Sequence, residues 1–77
     1  MVQAYILVQT EVGMSDQVSK AVSDIDGVIR VDTVTGPYDV VVLTEAATVD
    51  DLGTAVVGRV QRVPGITRTL TCPILKI

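Results

Sequence analysis

The sequence predicts an α+β fold with the element order βαββαβ, and three observations carry that prediction. Four segments alternate or run in β-branched residues at strand length. Two segments between them repeat apolar residues at helical spacing. Glycine, twice beside proline, falls at most of the junctions.

From Val2 to Thr10 the chain alternates, with Val2, Ala4, Ile6 and Val8 on one face and Gln3, Tyr5, Leu7 and Gln9 on the other, which predicts a strand with one apolar and one mixed face. After Glu11-Val12-Gly13, the residues Met14, Val18, Ala21, Val22 and Ile25 follow helical spacing, with Ser15 as the candidate N-cap and Gly27 closing the helix. Val28 to Thr35 is rich in β-branched residues and predicts the second strand. Gly36-Pro37 marks a turn, and Tyr38 to Glu45 predicts a third strand, so the pair forms a hairpin. Thr48, followed by Asp50 and Asp51, suits a helix N-terminus: the hydroxyl accepts an orphan N–H and the carboxylates meet the positive end of the dipole. Val49, Leu52, Val56, Val60 and Val63 mark one face of that helix. Gly53 and Gly58 each cost it about 1 kcal/mol relative to alanine, so they either allow close packing or leave the helix weak. Pro64-Gly65 ends it, and Ile66 to Ile74 predicts the fourth strand.

An internal repeat supports this order. Ile25-Asp26-Gly27-Val28-Ile29-Arg30 parallels Val63-Pro64-Gly65-Ile66-Thr67-Arg68 at an offset of roughly 38 residues, the length of one strand–helix–strand unit. Two interleaved right-handed βαβ units give a ferredoxin-like sandwich, a four-stranded antiparallel sheet with two helices on one face. The opposite face is left bare, and a second sheet is its natural cover.

Composition points the same way. A chain of 77 residues builds one domain, expected over 1–77, and at that size a monomer core contributes only about 3–5 kcal/mol net. Hydrophobic residues make up 48% of the chain but only two are aromatic, so the apolar mass is Val, Ile, Leu and Ala, more than one small core hides. With one cysteine and no histidine, association is the remaining route to security, and a dimer at least is expected. The net charge of −3 and scattered basic residues lack the footprint of a phosphate-neutralising surface, so no direct nucleic-acid contact is expected. No apolar run approaches membrane-spanning length and no leader pattern opens the chain, which predicts a cytoplasmic protein without a membrane partner. Cys72 alone forms no internal disulfide, which fits a reducing compartment.

The same inventory restricts chemistry. Without histidine, neither a Ser-His-Asp nor a Cys-His arrangement can be built, nor a histidine-containing zinc site, so no catalytic residue, metal or cofactor is expected. Asp50 and Asp51 are read as capping charge, and Glu45, Asp24 and Asp26 as solvated. Cys72, beside Pro73, has only Lys76 nearby to activate it and is read as a buried or half-buried small residue. Thr35-Gly36-Pro37-Tyr38-Asp39 is the most informative stretch. Glycine lets a ligand approach the backbone, Asp39 can accept from an ammonium, and Tyr38 can wall a pocket. Its plainer reading is a turn, with Asp39 bonded to local amides. Thr67, Thr69 and Thr71 alternate on the last strand, either as strand formers or as hydroxyls facing a polar pocket.

Gly27-Val28, Thr35-Gly36-Pro37-Tyr38-Asp39 and Val63-Pro64-Gly65-Ile66-Thr67-Arg68-Thr69-Leu70-Thr71 together resemble the effector (RAM) domain of Lrp/AsnC-type regulators, over essentially the whole chain. The resemblance implies a ligand-sensing regulatory domain, not an enzyme, that pairs through its sheets into homodimers and then into higher oligomers such as an octamer. It implies that an amino acid or related metabolite binds near the hairpin loop, here Gly36, Pro37, Tyr38 and Asp39, with Thr69 and Thr71 contributing. Two departures stand out. Pro37 replaces a residue whose N–H could meet a carboxylate, and the first strand begins at Val2, so the chain looks like a stand-alone effector domain that could co-assemble with full-length regulators. Three other readings stay open, among them a purely structural assembly domain with no ligand. A second is a dimeric α+β-barrel enzyme acting on a small molecule, with Tyr5 and Tyr38 as its few available groups. The third is an ACT-like allosteric domain with its ligand at Gly13.

Overall fold

Alternation in β1 (Val2–Thr10) places Ala4, Ile6 and Val8 on one face, all fully buried, and Gln3, Tyr5, Leu7 and Gln9 on the other. In the computed structural model, which describes residues 1–75, β1 is an inner strand. It is joined by β2 (Val28–Thr33), β3 (Val40–Ala46) and β4 (Ile66–Pro73) in the spatial order β2-β3-β1-β4. Every pairing is antiparallel. With α1 (Ser15–Ser23) and a second helix, α2, over 49–61, this is the ferredoxin-like βαββαβ arrangement.

β3 follows the same logic as β1: Val40, Val42, Thr44 and Ala46 turn inward. Thr44 is the polar exception, and its hydroxyl donates to the Ala4 carbonyl at 2.8 Å, as a buried hydroxyl must find a partner. Val18 and Val22 of α1 and Val60 of α2 meet Ile6, Val8, Val40 and Val42 in the main core. Leu52 and Val56 of α2 meet Ala4 and Ala46 in a second cluster beside it. The inward stripes are those the 2.0 and 3.6 periodicities mark, except that Ala21 and Val49, expected on the helical stripes, are exposed, Val49 because it opens the first turn of α2.

Boundaries shift for identifiable reasons. Met14, not Ser15, occupies the N-cap of α1, and no side chain caps it, so Ser15 is the first helical residue. The helix ends at Ser23, and Ile25 reaches the core from the following turn. Thr48 caps α2 as expected, its hydroxyl accepting from the Asp51 amide at 3.1 Å. β2 stops at Thr33 and β3 starts at Val40, so the hairpin connection is 34–39, longer than the sequence suggests. Gly36, at φ 141°, and Pro37, which has no N–H, cannot serve a ladder there. β4 ends at Pro73, although the Ile74 amide still donates to the Gln3 carbonyl.

The internal repeat is structural. Gly27 and Gly65 take φ 94° and 97°, and each carbonyl accepts from a strand-end amide of the other half: Glu45 to Gly27 at 2.7 Å, Glu11 to Gly65 at 2.8 Å. α2 is irregular, with α-helical turns at Val49–Asp51 and Gly58–Gln61 around a π-helical stretch Leu52–Val57. A methyl group at Gly53 would meet nothing within 4 Å and one at Gly58 only the Gly53 carbonyl at 3.7 Å, so packing within the chain requires neither glycine.

On the helix-free face, Leu7 stands opposite Val41 and Leu70, and Tyr5 opposite Leu43 and Cys72. Tyr5 and Leu70 are exposed, and the others half-buried. An apolar patch therefore occupies the middle of that face.

Candidate functional site

The hairpin loop 34–39 is held against the end of β1. A register shift between Gln9 and Thr10 interrupts the β1–β4 ladder, and on the other flank the β1–β3 ladder ends at Val8 and Val40, leaving the Thr10 amide beyond its last rung. The Thr10 amide donates to Asp39 Oδ2 at 2.8 Å, and the Thr10 hydroxyl reaches the same oxygen at 3.4 Å. Gln9 Nε2 donates to the Pro37 carbonyl at 2.7 Å. The Asp39 amide donates to the Val8 carbonyl and the Val34 amide to the Asp39 carbonyl, both at 2.9 Å, closing the loop. Asp39 therefore bonds a backbone amide, but one 29 residues away on another strand rather than within its own turn. Gly36 and Pro37 are exposed and Tyr38 is half-buried. Apart from its own chain neighbours, no atom lies within 4 Å of where a Gly36 side chain would start, so the backbone there is open to approach.

On the other side of β1, Thr69 pairs with Val8 and Thr71 with Ile6, which sets both threonines on the helix side of the sheet at its β4 edge. Thr67 does not continue their row. The shift at Gln9/Thr10 displaces it, and its hydroxyl donates to the Gln9 carbonyl at 3.3 Å. Gln61, at the end of α2, donates through Nε2 to Thr69 Oγ1 at 3.2 Å. Gln61, Ile66, Thr67, Arg68 and Thr69 line a shallow depression of about 200 Å³.

The end of β1 thus separates two sets of polar groups. Asp39, Gly36, Pro37 and Tyr38 flank it on the β3 side, and Thr69, Thr67 and Gln61 on the β4 side. Val8 is paired with Val40 on one flank and Thr69 on the other. Thr71 lies two residues further along β4, away from the loop. A second, open depression is lined by Thr33, Val34 and Thr35. Neither depression is lined by Gly36–Asp39 or by Thr71. Chemically, one flank offers a carboxylate and backbone groups, and the other offers amide, hydroxyl and guanidinium donors. A zwitterion needs that combination.

The remaining candidates have ordinary surroundings. Asp50 and Asp51 are exposed in the first turn of α2, and Glu45 accepts from Gln3 Nε2 at 3.4 Å. Cys72 is a half-buried free thiol, and Lys76 lies outside the described residues. Gly13 turns the chain at φ 79° with no neighbour around it. Among the described residues no three His, Cys, Asp or Glu side chains come together as a metal site requires, and no helix is long and apolar enough to cross a membrane. Gln61, Gln9 and Thr10 are the participants that the sequence pattern does not mark. Each is a common polar residue until strand register and helix packing bring it to its partner.

A family model described as the Lrp/AsnC ligand binding domain matches residues 3–77. Among solved structures, TTHA0845 from Thermus thermophilus is similar with a TM-score of 0.91 and 27% identity, over 100% of this chain and 96% of that one. AsnC of E. coli is similar with a TM-score of 0.89 and 18% identity, over 99% of this chain and 52% of that one. The transcriptional regulator NMB0573 from Neisseria meningitidis, solved as an L-Met complex, gives a TM-score of 0.83 and 17% identity over 97% of this chain and 50% of that one. At those identities the last two show a shared fold. No curated protein matches the sequence.

Proposed function

Because the chain belongs to the Lrp/AsnC ligand binding domain family, we propose that it is a non-catalytic, oligomeric sensor that binds an amino acid or related metabolite and modulates Lrp/AsnC-type transcriptional regulators. The observation that carries this reading is the pairing of opposite chemistries across the end of β1. Asp39 offers its second carboxylate oxygen to a ligand ammonium, beside the open backbone of Gly36. The half-buried ring of Tyr38 walls that side, and the missing N–H of Pro37 leaves its carbonyl as the only backbone group it can present. Thr69 and Gln61, with Thr71 behind them, offer hydroxyl and amide donors to the ligand carboxylate. The L-Met complex of NMB0573, a protein of the same fold, agrees with an amino-acid ligand.

Neither surface depression encloses all of these groups, which supports a site completed by a second copy of the chain. The apolar face around Leu7, Val41, Leu43 and Leu70 supports sheet-to-sheet pairing into a dimer, with further dimers adding to form a larger ring. The same surfaces offer full-length regulators a route to co-assembly.

Titration calorimetry of the twenty proteinogenic amino acids against wild type and Asp39→Ala tests the reading. At least one amino acid is expected to bind, with affinity falling about tenfold or more in the variant, as removal of a charge-assisted contact costs about 1.5–3 kcal/mol. Binding undiminished in Asp39→Ala removes Asp39 from the site. Absence of heat with all twenty overturns the amino-acid assignment.

A further inference from the structure

The two flanks of the candidate site touch different neighbours of β1, and a single short segment is bonded to both. Gln9 holds the loop through its side chain, to the Pro37 carbonyl, and holds β4 through its own carbonyl, which accepts from Thr67. Thr10 holds the loop through its amide and hydroxyl, both on Asp39 Oδ2. Next to it, the Glu11 amide donates to the Gly65 carbonyl just before β4 begins. These bonds lie outside the regular ladders: the β1–β3 pairing ends at Val8 and Val40, which leaves the Thr10 amide beyond its last rung, and the register shift against β4 sets the Thr67 hydroxyl at the Gln9 carbonyl.

We propose that the Gln9–Thr10 segment is the positioning element of the site, fixing the Gly36–Asp39 loop and the start of β4 in one arrangement, so that a change on either flank is felt on the other. Asp39 then serves through two atoms: Oδ2 locks the loop to Thr10, while Oδ1 is left for a ligand. The proposal rests on the ligand reading for the site's purpose, but its physical content concerns the free protein. Coupling of this kind is carried by contiguous contacts, here the hydrogen bond from Thr10 to Asp39, the β1 backbone from Thr10 to Gln9, and the hydrogen bond from Thr67 to Gln9. Because it is reciprocal, it can be approached from both ends.

The test is nitrogen-15 NMR of the ligand-free 77-residue chain, wild type against Asp39→Ala, Asp39→Asn and Thr67→Val. In Asp39→Ala the Thr10 amide is expected to lose protection from hydrogen exchange by about ten- to hundredfold, the range for losing a hydrogen bond to a charged group. The Thr67 and Thr69 amides, across β1, are expected to shift with it. Asparagine keeps an acceptor oxygen for Thr10, so Asp39→Asn restores both signals. Thr67→Val keeps the strand-favouring shape and removes only the hydroxyl, and it is expected to move the Tyr38 and Asp39 amides. Thr10 protection that survives in Asp39→Ala overturns the proposal. So do perturbations that stop at residues 34–39 and Thr10, or a Thr67→Val spectrum unchanged in the loop. If Asp39→Ala does not fold, Thr67→Val alone decides. None of these readings depends on a ligand, so failure of the amino-acid titration and failure of the positioning element are separate results.

Discussion

Gly27 sits at φ 94°, and a methyl group there would meet Val56 Cγ2 at 2.5 Å and the Glu45 carbonyl oxygen at 2.9 Å. Backbone strain and overpacking each cost about 1–3 kcal/mol, so Gly27→Ala is expected to remove most of the net stability of a domain this small. Urea denaturation followed by circular dichroism measures it, and a midpoint close to wild type would refute the clash. Gly36 has open space around it, so its requirement is conformational alone, and Gly36→Ala is expected to cost less, about 1–2 kcal/mol. Asp39 shows how one residue type admits two uses. Its carboxylate could have bonded its own turn, as such residues commonly do. It reaches β1 instead because the β1–β3 ladder ends at Val8 and leaves the Thr10 amide without a strand partner there.

Among the elements, α2 is the most irregular. Its N-terminus is conventional, with Thr48 accepting from the Asp51 amide, and Thr48→Ala is expected to cost about 1 kcal/mol. Its middle is π-helical and carries Gly53, which is exposed, helical and free of neighbours. Gly53→Ala is therefore expected to stabilise the chain by about 0.5–1 kcal/mol, read as a higher melting temperature. A loss of stability instead would show that the π-helical turn depends on the glycine. Both helical stripes were legible in the sequence because helix periodicity is local: Val18 and Val22, and Leu52, Val56 and Val60, are buried as their spacing implies. The π-helical turn was not, because Leu52, Val56 and Val60 stand four residues apart, a spacing that an α-helix and a wider turn both keep on one face.

For the whole molecule, the decisive feature is a sheet covered on one side. Leu70 lies on the bare face at 47% exposure, among Leu7, Tyr5 and Cys72. Leu70→Glu introduces a charge that an isolated chain tolerates, being on an edge strand, but that a stacked sheet would bury unpaired. If the proposed sheet-to-sheet pairing holds, it is expected to shift sedimentation from a dimer or larger assembly to the monomer while leaving the far-ultraviolet circular dichroism unchanged. A sedimentation coefficient equal to that of wild type would overturn pairing through this face.

What the sequence determined by itself is whatever depends on neighbours along the chain: the strand alternation of β1 and β3, the helical stripes, the glycine turns at Gly27 and Gly65, and hence the order βαββαβ. It also marked Gly36–Asp39 and the threonines of β4 as polar positions at strand ends, and through their combination a family. The tertiary structure decided which of these residues meet. The register shift at Gln9/Thr10, the capture of the Thr10 amide by Asp39, the displacement of Thr67 from its row and the contact of Gln61 with Thr69 all join residues far apart in the chain, except the last. The physical reason is that strand register is set by pairing between segments. A one-residue irregularity re-aims hydrogen-bonding groups without leaving a trace in local periodicity.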